Sequence, residues 1–354
     1  MDNVFKGKKI LVTGHTGFKG SWLAIWLKEL GANVYGLSLD VPTKPAHYDL
    51  FEDVVVNQKF LNISESRIVN EYIQDISPDF VFHLAAQPIV LDSYEDPLNT
   101  FFSNSLGSAN ILDALRKLEK ECIAVMITSD KCYDNQELKR GYSEDDRLGG
   151  KDPYSGSKGA AELIIRSYTE SFFKKEGSPI RLAIGRAGNV IGGGDWAPHR
   201  IVPDCIRAWS EGRNSEIRNP YSTRPWQHVL EPLSGYLCLA EALIKDNTLT
   251  GEAFNFGPSE EHDYTVGDLV EELSSTWKDS SWSNIGKEES PYYEAGLLKL
   301  NCQKAKNLLS WKSCLSFEKT AEWTGNWYYD YYHKSPKEAF SLTKEQIREY
   351  MALI

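Results

Sequence analysis

The 354-residue chain has no apolar run approaching the ~20 residues that a membrane-spanning helix needs. It also has no surplus of positive charge: 39 Lys and Arg stand against 50 Asp and Glu, for a formal net charge of −11. That balance excludes a broad nucleic-acid or anionic-membrane surface, while a few arginines would still suffice for a local anion pocket. Cysteine is sparse. The six thiols, Cys122, Cys132, Cys205, Cys238, Cys302 and Cys314, form no CxxC pair, so packed, reduced cysteines and no metal site are expected. The opening MDNVFKGKKILVTG has neither an apolar leader nor a cleavage pattern and runs directly into a strand, so a cytoplasmic protein is expected.

Hydrophobic residues at 41% and charged residues at 25% are enough for one large folded unit with a smaller cap. KKILVTG, NVYGLSLD, DFVFHLAA and CIAVMITSD read as strands. Helical patterns lie between them, first FKGSWLAIWLKELG and later a long one from Leu98 to Leu118. Such alternation predicts right-handed crossovers and an α/β, doubly wound parallel sheet of the Rossmann type. A helix from about Tyr154 and the strand IRLAIGRAGNV continue the scheme. After Asn189 the texture changes, and IGGGDW, RNPYSTRPW and GPSEEHDY are loop-rich. WQHVLEPLSGYLCLAEALI (strand, then helix) and EAFNFG (strand) read as returns to the sheet. The expected division is 1–190 plus about 226–257 for the large domain, with 191–225 and 258–354 forming a smaller, discontinuous C-terminal substrate domain.

VTGHTGFKG sets Gly14, Gly17 and Gly20 between a strand and a helix, with Thr16 and Phe18 in the same loop. Glycines there permit a tight turn and bring a pyrophosphate close to the helix N-terminus. A packing turn is the plainer account, and the loop's place after the first strand favours the dinucleotide. Asp40, about twenty residues on, suits an adenosine ribose and would repel a 2′-phosphate, so NAD is expected over NADP. A turn-forming Asp ahead of Val41 and Pro42 is the competing account.

YSGSK places Tyr154 and Lys158 four residues apart, on one face if the segment is helical. A cation there favours phenolate and lets Tyr154 accept a proton from a hydroxyl. Alone, the pair is a common surface coincidence. TSDKCYDN adds Ser129, Asp130 and Lys131 where a strand runs out, either as a polar turn or as further acid–base groups.

Together these stretches resemble the extended short-chain dehydrogenase/reductase family over nearly the whole chain. The resemblance rests on GHTGFKGSWL, on HLAAQP (His83 to Pro88), on Asn104 and on TSDKCY with the Tyr154 and Lys158 pair. It extends to RAGNVIGGGDW and RPWQHVLEP. Within the family the motifs look most like those of nucleotide-sugar 4,6-dehydratases acting on CDP-glucose. The resemblance implies that Gly14, Thr16, Gly17, Phe18 and Gly20 hold the pyrophosphate side of NAD, and Asp40 the ribose. Asn62 and Ile63 would lie near the adenine, where many relatives carry Asp before an apolar residue. Ala85, Ala86, Gln87 and Asn104 would line the cofactor. Ser129, Tyr154 and Lys158 would form the catalytic triad, with Asp130 as acid and Lys131 as base where relatives for another nucleotide have Glu. Asn189, Arg200, Arg218, Arg224 and His228 would bind the sugar nucleotide, Arg through paired, charge-assisted bonds. His199 is a weaker candidate, and His83 is expected to be structural. The helices near 98–118 and 154–175 resemble those that pair in family dimers, so a homodimer is implied.

Three readings stay open on the residues alone: a 4,6-dehydratase for CDP-glucose or another nucleotide hexose, a nucleotide-sugar epimerase, and a non-enzymatic NAD-binding sensor. An epimerase has no need of Asp130 and Lys131, and a sensor has no need of Tyr154 and Lys158.

Overall fold

The run KILVT forms strand β1 (Lys9–Thr13), buried at every residue after the first. It lies near the middle of a sheet, so both of its faces must be apolar. A computed structural model describes residues 3–258, 263–286 and 297–354. Residues 259–262 of the loop-rich GPSEEHDY lie outside the described residues. The other strands of this sheet are β2 (Asn33–Ser38), β3 (Asn57–Phe60), β4 (Phe80–His83), β5 (Cys122–Ile127), β6 (Ile180–Ala187) and Ala253–Phe256. All seven are parallel, in the spatial order Ala253–Phe256, β6, β5, β4, β1, β2, β3. The expected doubly wound α/β sheet is present.

Alternate residues of β1 feed two cores. Ile10 and Val12 join one with Trp22, Trp26, Leu233 and Tyr350. Leu11 joins the other with Ile73, Leu112 and Ile165. Helix α1 (Phe18–Glu29) and the helix Leu230–Lys245 therefore cover one face, while α2 (Ser66–Ile76), Gly107–Leu115 and Pro153–Tyr168 cover the other. The first core continues into Trp327, Tyr328 and Ile347 of the helices Phe317–His333 and Pro336–Leu353. The C-terminal helix also reaches back to the two helices that cover this face of the sheet. Trp26 and Tyr350 meet edge to face at 5.7 Å, and the Tyr350 hydroxyl donates to buried Glu231 at 2.6 Å.

Two expectations need correction. WQHV does not return to the large sheet: Gln227–His228 pairs with Val190–Ile191 in a separate two-stranded sheet. The chain turns away after β6 because Asn189 adopts φ +51°, which no strand accommodates. The helical stretch from Leu98 is not uniform, since a π-helical turn, Phe102–Leu106, separates Pro97–Phe101 from Gly107–Leu115. β3 has no counterpart among those expectations, since NQKF is a polar edge strand with no apolar alternation.

A buried ion pair fastens β5, β6 and the helix Pro153–Tyr168 together. Arg186 donates from Nε and Nη2 to the two Glu162 oxygens at 2.9 Å each, and the side chains are 4% and 2% exposed. Thr128 Oγ1 donates to the same carboxylate at 2.5 Å. Arg186 Nη1 donates to Tyr133 Oη at 2.7 Å and to the Glu144 carbonyl at 3.1 Å. Tyr133 in turn donates to Asn255 Oδ1 at 2.8 Å. Removing one partner strands the other charge, so Arg186→Met is expected to cost about 3–5 kcal/mol in urea unfolding. Adding Glu162→Met should recover most of that loss; a double variant as unstable as the single one would argue against stranded charge as the cause.

Candidate active site

Helix α1 starts at Phe18 behind Gly17, and no side chain caps its first N–H groups. Gly14 adopts φ +73°, and a Cβ on Gly20 would stand 2.0 Å from the Gly14 carbonyl oxygen, so only glycine allows this loop to fold onto the helix. Thr16 ties the loop to the end of β2, its N–H donating to Ser38 Oγ at 3.3 Å and its Oγ1 to the Asp40 carbonyl at 2.6 Å. Asp40 itself is exposed there. Beneath the loop, buried His15 bridges Ser38 Oγ at 2.8 Å and Gln58 Oε1 at 2.7 Å.

Across the cleft, Ala85 N donates to Thr13 Oγ1 at 3.1 Å. Asn104, buried in the π turn, accepts from Gln87 N at 2.8 Å and donates to its carbonyl at 3.1 Å. Ala85, Ala86 and Gln87 are half-buried. Gln87 Oε1 is buried with no partner among the described residues. Asn62 Oδ1 is engaged by Ser64 N at 2.9 Å, and Ile63 is buried against Gly107. Uncapped N–H groups, an exposed carboxylate at the strand end and an unmatched buried acceptor fit a dinucleotide lying across these strand ends.

Ser129 caps the short turn Asp130–Cys132, accepting from Lys131 N at 3.2 Å and donating to Asp130 Oδ1 at 2.8 Å. Its hydroxyl is also hydrogen-bonded to the Tyr154 phenol, so one oxygen joins phenol and carboxylate. Asp130 is buried, and a Cβ on Gly188 would stand 2.0 Å from its Oδ2. Tyr154 and Lys158 occupy the first turns of the helix Pro153–Tyr168, which Asp152 caps through Ser155 N at 2.9 Å. Lys158 Nζ is 5.9 Å from the Tyr154 ring centre. Burial pushes the phenol up to about 12 against the pull of its Ser129 bond. Burial also brings the Lys158 amine down to about 8, opposed by Cys132 and Glu162. Lys131 is half-buried, and its amine has no ion pair or hydrogen bond among the described residues.

The outer residues divide. Arg200 comes to the centre, held by Asp195 Oδ2 at 2.7 Å, with its charge felt at Tyr154. Arg218 is exposed beyond the short strand Ser215–Ile217, and its charge acts on Asp204. His199, also exposed, acts on the same carboxylate. Arg224 is half-buried, with Nη1 donating to the Thr223 carbonyl at 2.8 Å. Asn189 is half-buried, and its carbonyl accepts from Gln227 N at 3.2 Å. His228 is fully buried, edge-on to Trp22 and Trp323, with Nδ1 accepting from Leu230 N at 3.3 Å and Nε2 buried with no partner among the described residues. His83 is structural as expected, between Thr13 Oγ1 at 2.7 Å and Ser108 Oγ at 3.0 Å.

Sequence reading missed Lys19. A lysine among glycines looks like a surface charge, yet its amine donates to Tyr236 Oη at 3.4 Å and its charge interacts with Lys158, Arg200 and Asp130.

The family model described as GDP-mannose 4,6 dehydratase matches residues 11–324. A CDP-glucose 4,6-dehydratase of Salmonella typhimurium is 42% identical, covering 99% of this chain and 98% of the relative. A UDP-glucose 4-epimerase of Mycoplasma pneumoniae is 23% identical over 92% of this chain and 98% of that protein. The solved dTDP-glucose 4,6-dehydratase of Bacillus anthracis, in complex with NAD, superposes with a TM-score of 0.74 at 19% identity, covering 93% of this chain and 99% of that one. The chain belongs to the GDP-mannose 4,6-dehydratase family, within the extended short-chain dehydrogenase/reductase fold.

Burial takes His47, His83 and His228 down to about 3, so each stays neutral in the fold. In the unfolded chain each imidazole takes a proton below about 6.5. Their contribution is complete above pH 6.5 and falls, by up to about 1.4 kcal/mol per pH unit for each, towards pH 3. The urea midpoint should drop accordingly, and less steeply in His47→Gln; an equal slope in that variant would show that His47 is not among the causes.

Proposed function

We propose that this chain is an NAD-dependent 4,6-dehydratase that converts CDP-glucose to CDP-4-dehydro-6-deoxyglucose. The observation that carries the reading is the linked set Tyr154, Ser129 and Asp130, with Lys158 on the next helical turn. A proton acceptor and a buried carboxyl group then stand together, which suits an enzyme that both oxidises and eliminates. The 42% identity with the Salmonella CDP-glucose enzyme supports the same substrate.

Gly14, Thr16, Gly17, Phe18, Gly20 and Asp40 would hold the pyrophosphate and adenosine half of NAD, with Asn62 and Ile63 towards the adenine. Ala85, Ala86, Gln87, Asn104, Tyr154 and Lys158 would hold the nicotinamide half. NAD, when bound, supplies the hydride acceptor at C4 and the donor at C6, so it ends each turnover unchanged. Tyr154 takes the proton of the C4 hydroxyl, assisted by the Lys158 charge, which favours phenolate. The resulting ketone acidifies the C5 proton. Lys131 accepts that proton while Asp130 donates one to the departing C6 hydroxyl. Arg200, Arg218 and Arg224, in the smaller region formed by 191–225 and 258–354, would receive the nucleotide diphosphate together with Asn189. A 4-epimerase would use Tyr154 and Lys158 and leave Asp130 idle, so the buried acid favours dehydration.

The same reading carries a cytoplasmic enzyme of deoxysugar synthesis that works as a homodimer. Leu98, Phe102, Leu106 and Leu163 are 70%, 48%, 48% and 57% exposed on the two helical stretches expected to pair. Apolar side chains so exposed are suited to burial against a second copy. Leu163→Glu should shift the scattering mass from dimer to monomer; a parent protein that is already monomeric would refute this interface.

The deciding experiment offers CDP-, dTDP-, UDP- and GDP-hexoses and follows loss of water by mass. CDP-glucose should be dehydrated fastest. Preference for dTDP-glucose would overturn the substrate, and no dehydration at all would overturn the reaction. Tyr154→Phe should lower turnover by about 10²–10⁴-fold. Lys131→Met should still reduce bound NAD but no longer exchange the C5 hydrogen with solvent; normal exchange would remove the base role.

A further inference from the structure

Three neighbouring strands of the sheet end side by side, with Asp130 beyond β5, Gly188 beyond β6 and Phe256 closing the last strand. The Asp130 carboxyl lies against the backbone of Gly188, where a Cβ would stand 2.0 Å from Oδ2 and 2.1 Å from Cγ. Any drift of that backbone therefore frees or crowds the carboxyl. On its other side Oδ1 accepts from Ser129 Oγ at 2.8 Å, and Oδ2 makes no hydrogen bond or ion pair among the described residues. The position of Gly188 is thus half of what places this group.

Gln227 holds Gly188. Its Nε2 donates to the Gly188 carbonyl at 3.0 Å and to the Phe256 carbonyl at 2.9 Å, and its backbone N–H donates to the Asn189 carbonyl at 3.2 Å. One residue thus takes two consecutive carbonyls of the turn in which Asn189 reaches φ +51°. It ties that turn to the sheet through Phe256, which lies opposite Ala187 in register. Gln227 is 2% exposed, and two carbonyls facing one amide fix its orientation, because Oε1 in the place of Nε2 would oppose both. Oε1 is left buried with no partner among the described residues. An unmatched buried acceptor opposes folding, so filling space alone would favour an apolar side chain here. What the amide adds is its two bonds. They are also separate from the backbone pairing of Gln227–His228 with Val190–Ile191, which any side chain would keep.

We propose that Gln227 is a positioning residue that acts through Gly188 to hold the Asp130 carboxyl in place for the elimination. The functional consequence rests on the dehydratase reading above, while the placement of the carboxyl does not. Tyr154 and Lys158 have an anchor of their own in the Arg186–Glu162 pair on their helix, so oxidation at C4 survives loss of the Gln227 bonds. Proton delivery to the departing C6 hydroxyl does not, since a displacement of about 1 Å can cost a reacting group about 10²-fold.

The test is Gln227→Met, which keeps a side chain of similar length and removes both bonds. The NAD-loaded variant is mixed with the nucleotide hexose that the parent dehydrates fastest, and NADH absorbance is followed by stopped flow beside loss of water by mass. NADH should form at the parent rate and then accumulate, while dehydration falls by about 10–100-fold and KM stays unchanged. Gly188→Ala, whose Cβ displaces the carboxyl directly, should show the same split. In a crystal structure of Gln227→Met the Asp130 carboxyl should have moved from its parent position and its bond to Ser129 lengthened. Should Gln227→Met fail to fold, Gln227→Asn, whose amide is too short to span both carbonyls, carries the comparison. Equal loss of NADH formation and dehydration, parent-like turnover, or an unmoved Asp130 carboxyl would each overturn the proposal. A displaced carboxyl in a protein whose parent dehydrates no nucleotide hexose would uphold the positioning role and overturn the dehydratase reading instead.

Discussion

The Arg186–Glu162 ion pair is the constraint on which the reaction centre depends. It joins the penultimate residue of β6 to the helix that carries Tyr154 and Lys158, and Thr128, one residue before Ser129, bonds the same carboxylate. Two charges under 5% exposed would be costly to bury without further partners. Here further partners are supplied, because Arg186 also reaches Tyr133 and the Glu144 carbonyl, and Tyr133 passes the network on to Asn255. The strand end bearing Ser129 and Asp130 and the helix bearing Tyr154 and Lys158 are thus anchored to one carboxylate. Their mutual geometry does not rely on flexible loop contacts.

Asn255 carries the same network into the second half of the chain. Its amide nitrogen donates to the Tyr142 and Asn301 carbonyls at 2.8 Å and 3.1 Å, and its backbone N–H to Glu144 Oε1 at 2.8 Å. The last strand of the sheet, the loop after the reaction centre and the chain near residue 300 therefore meet at one side chain. A parallel core holds the other face, where Glu231 accepts from Tyr350 and from the Cys314 and Leu315 N–H groups. The first device ties the chain near residue 300 to the sheet through the Asn255 amide, the second ties residues 314–315 and the C-terminal helix to the helix Leu230–Lys245 through Glu231, and the apolar core runs on across the expected domain boundary.

What was legible in the sequence was whatever repeats or is sterically unusual. Alternating strands and helices marked the sheet, the glycine spacing marked the uncapped helix start, and Tyr-x-x-x-Lys marked one helix face. Each is local, so a single stretch of chain carries it. The surroundings of His228 were not legible, because RPWQHVLEP mixes polar and aromatic residues as a binding loop does, whereas the fold packs that imidazole edge-on to Trp22 and Trp323. The pairing of Arg186 with Glu162 left no pattern to read, since the residues lie on different elements and either alone resembles a surface charge. The π turn holding Asn104 was equally silent, because its sequence, FSNSL, does not differ in kind from an α-helical turn.

Lys19 shows most clearly what local reading loses. Within GFKG it is one charge beside two small residues, and nothing nearby in sequence offers it a counterion. The fold turns that lack into a property: the amine is carried to a place where the charges of Lys158 and Arg200 oppose its own and that of Asp130 favours it. Desolvation alone lowers an amine, and two neighbouring cations lower it further. The cleft therefore gathers positive side chains where an anionic nucleotide diphosphate would enter, on a protein whose net charge is −11. An acidic surface with a cationic interior confines attraction for such a ligand to this cleft, because screening removes what the surface contributes beyond about 10 Å while the buried charges are screened much less. The cluster that depresses Lys19 is thus also the one that makes the cleft receptive to its substrate, and the two effects cannot be separated by changing the surface alone.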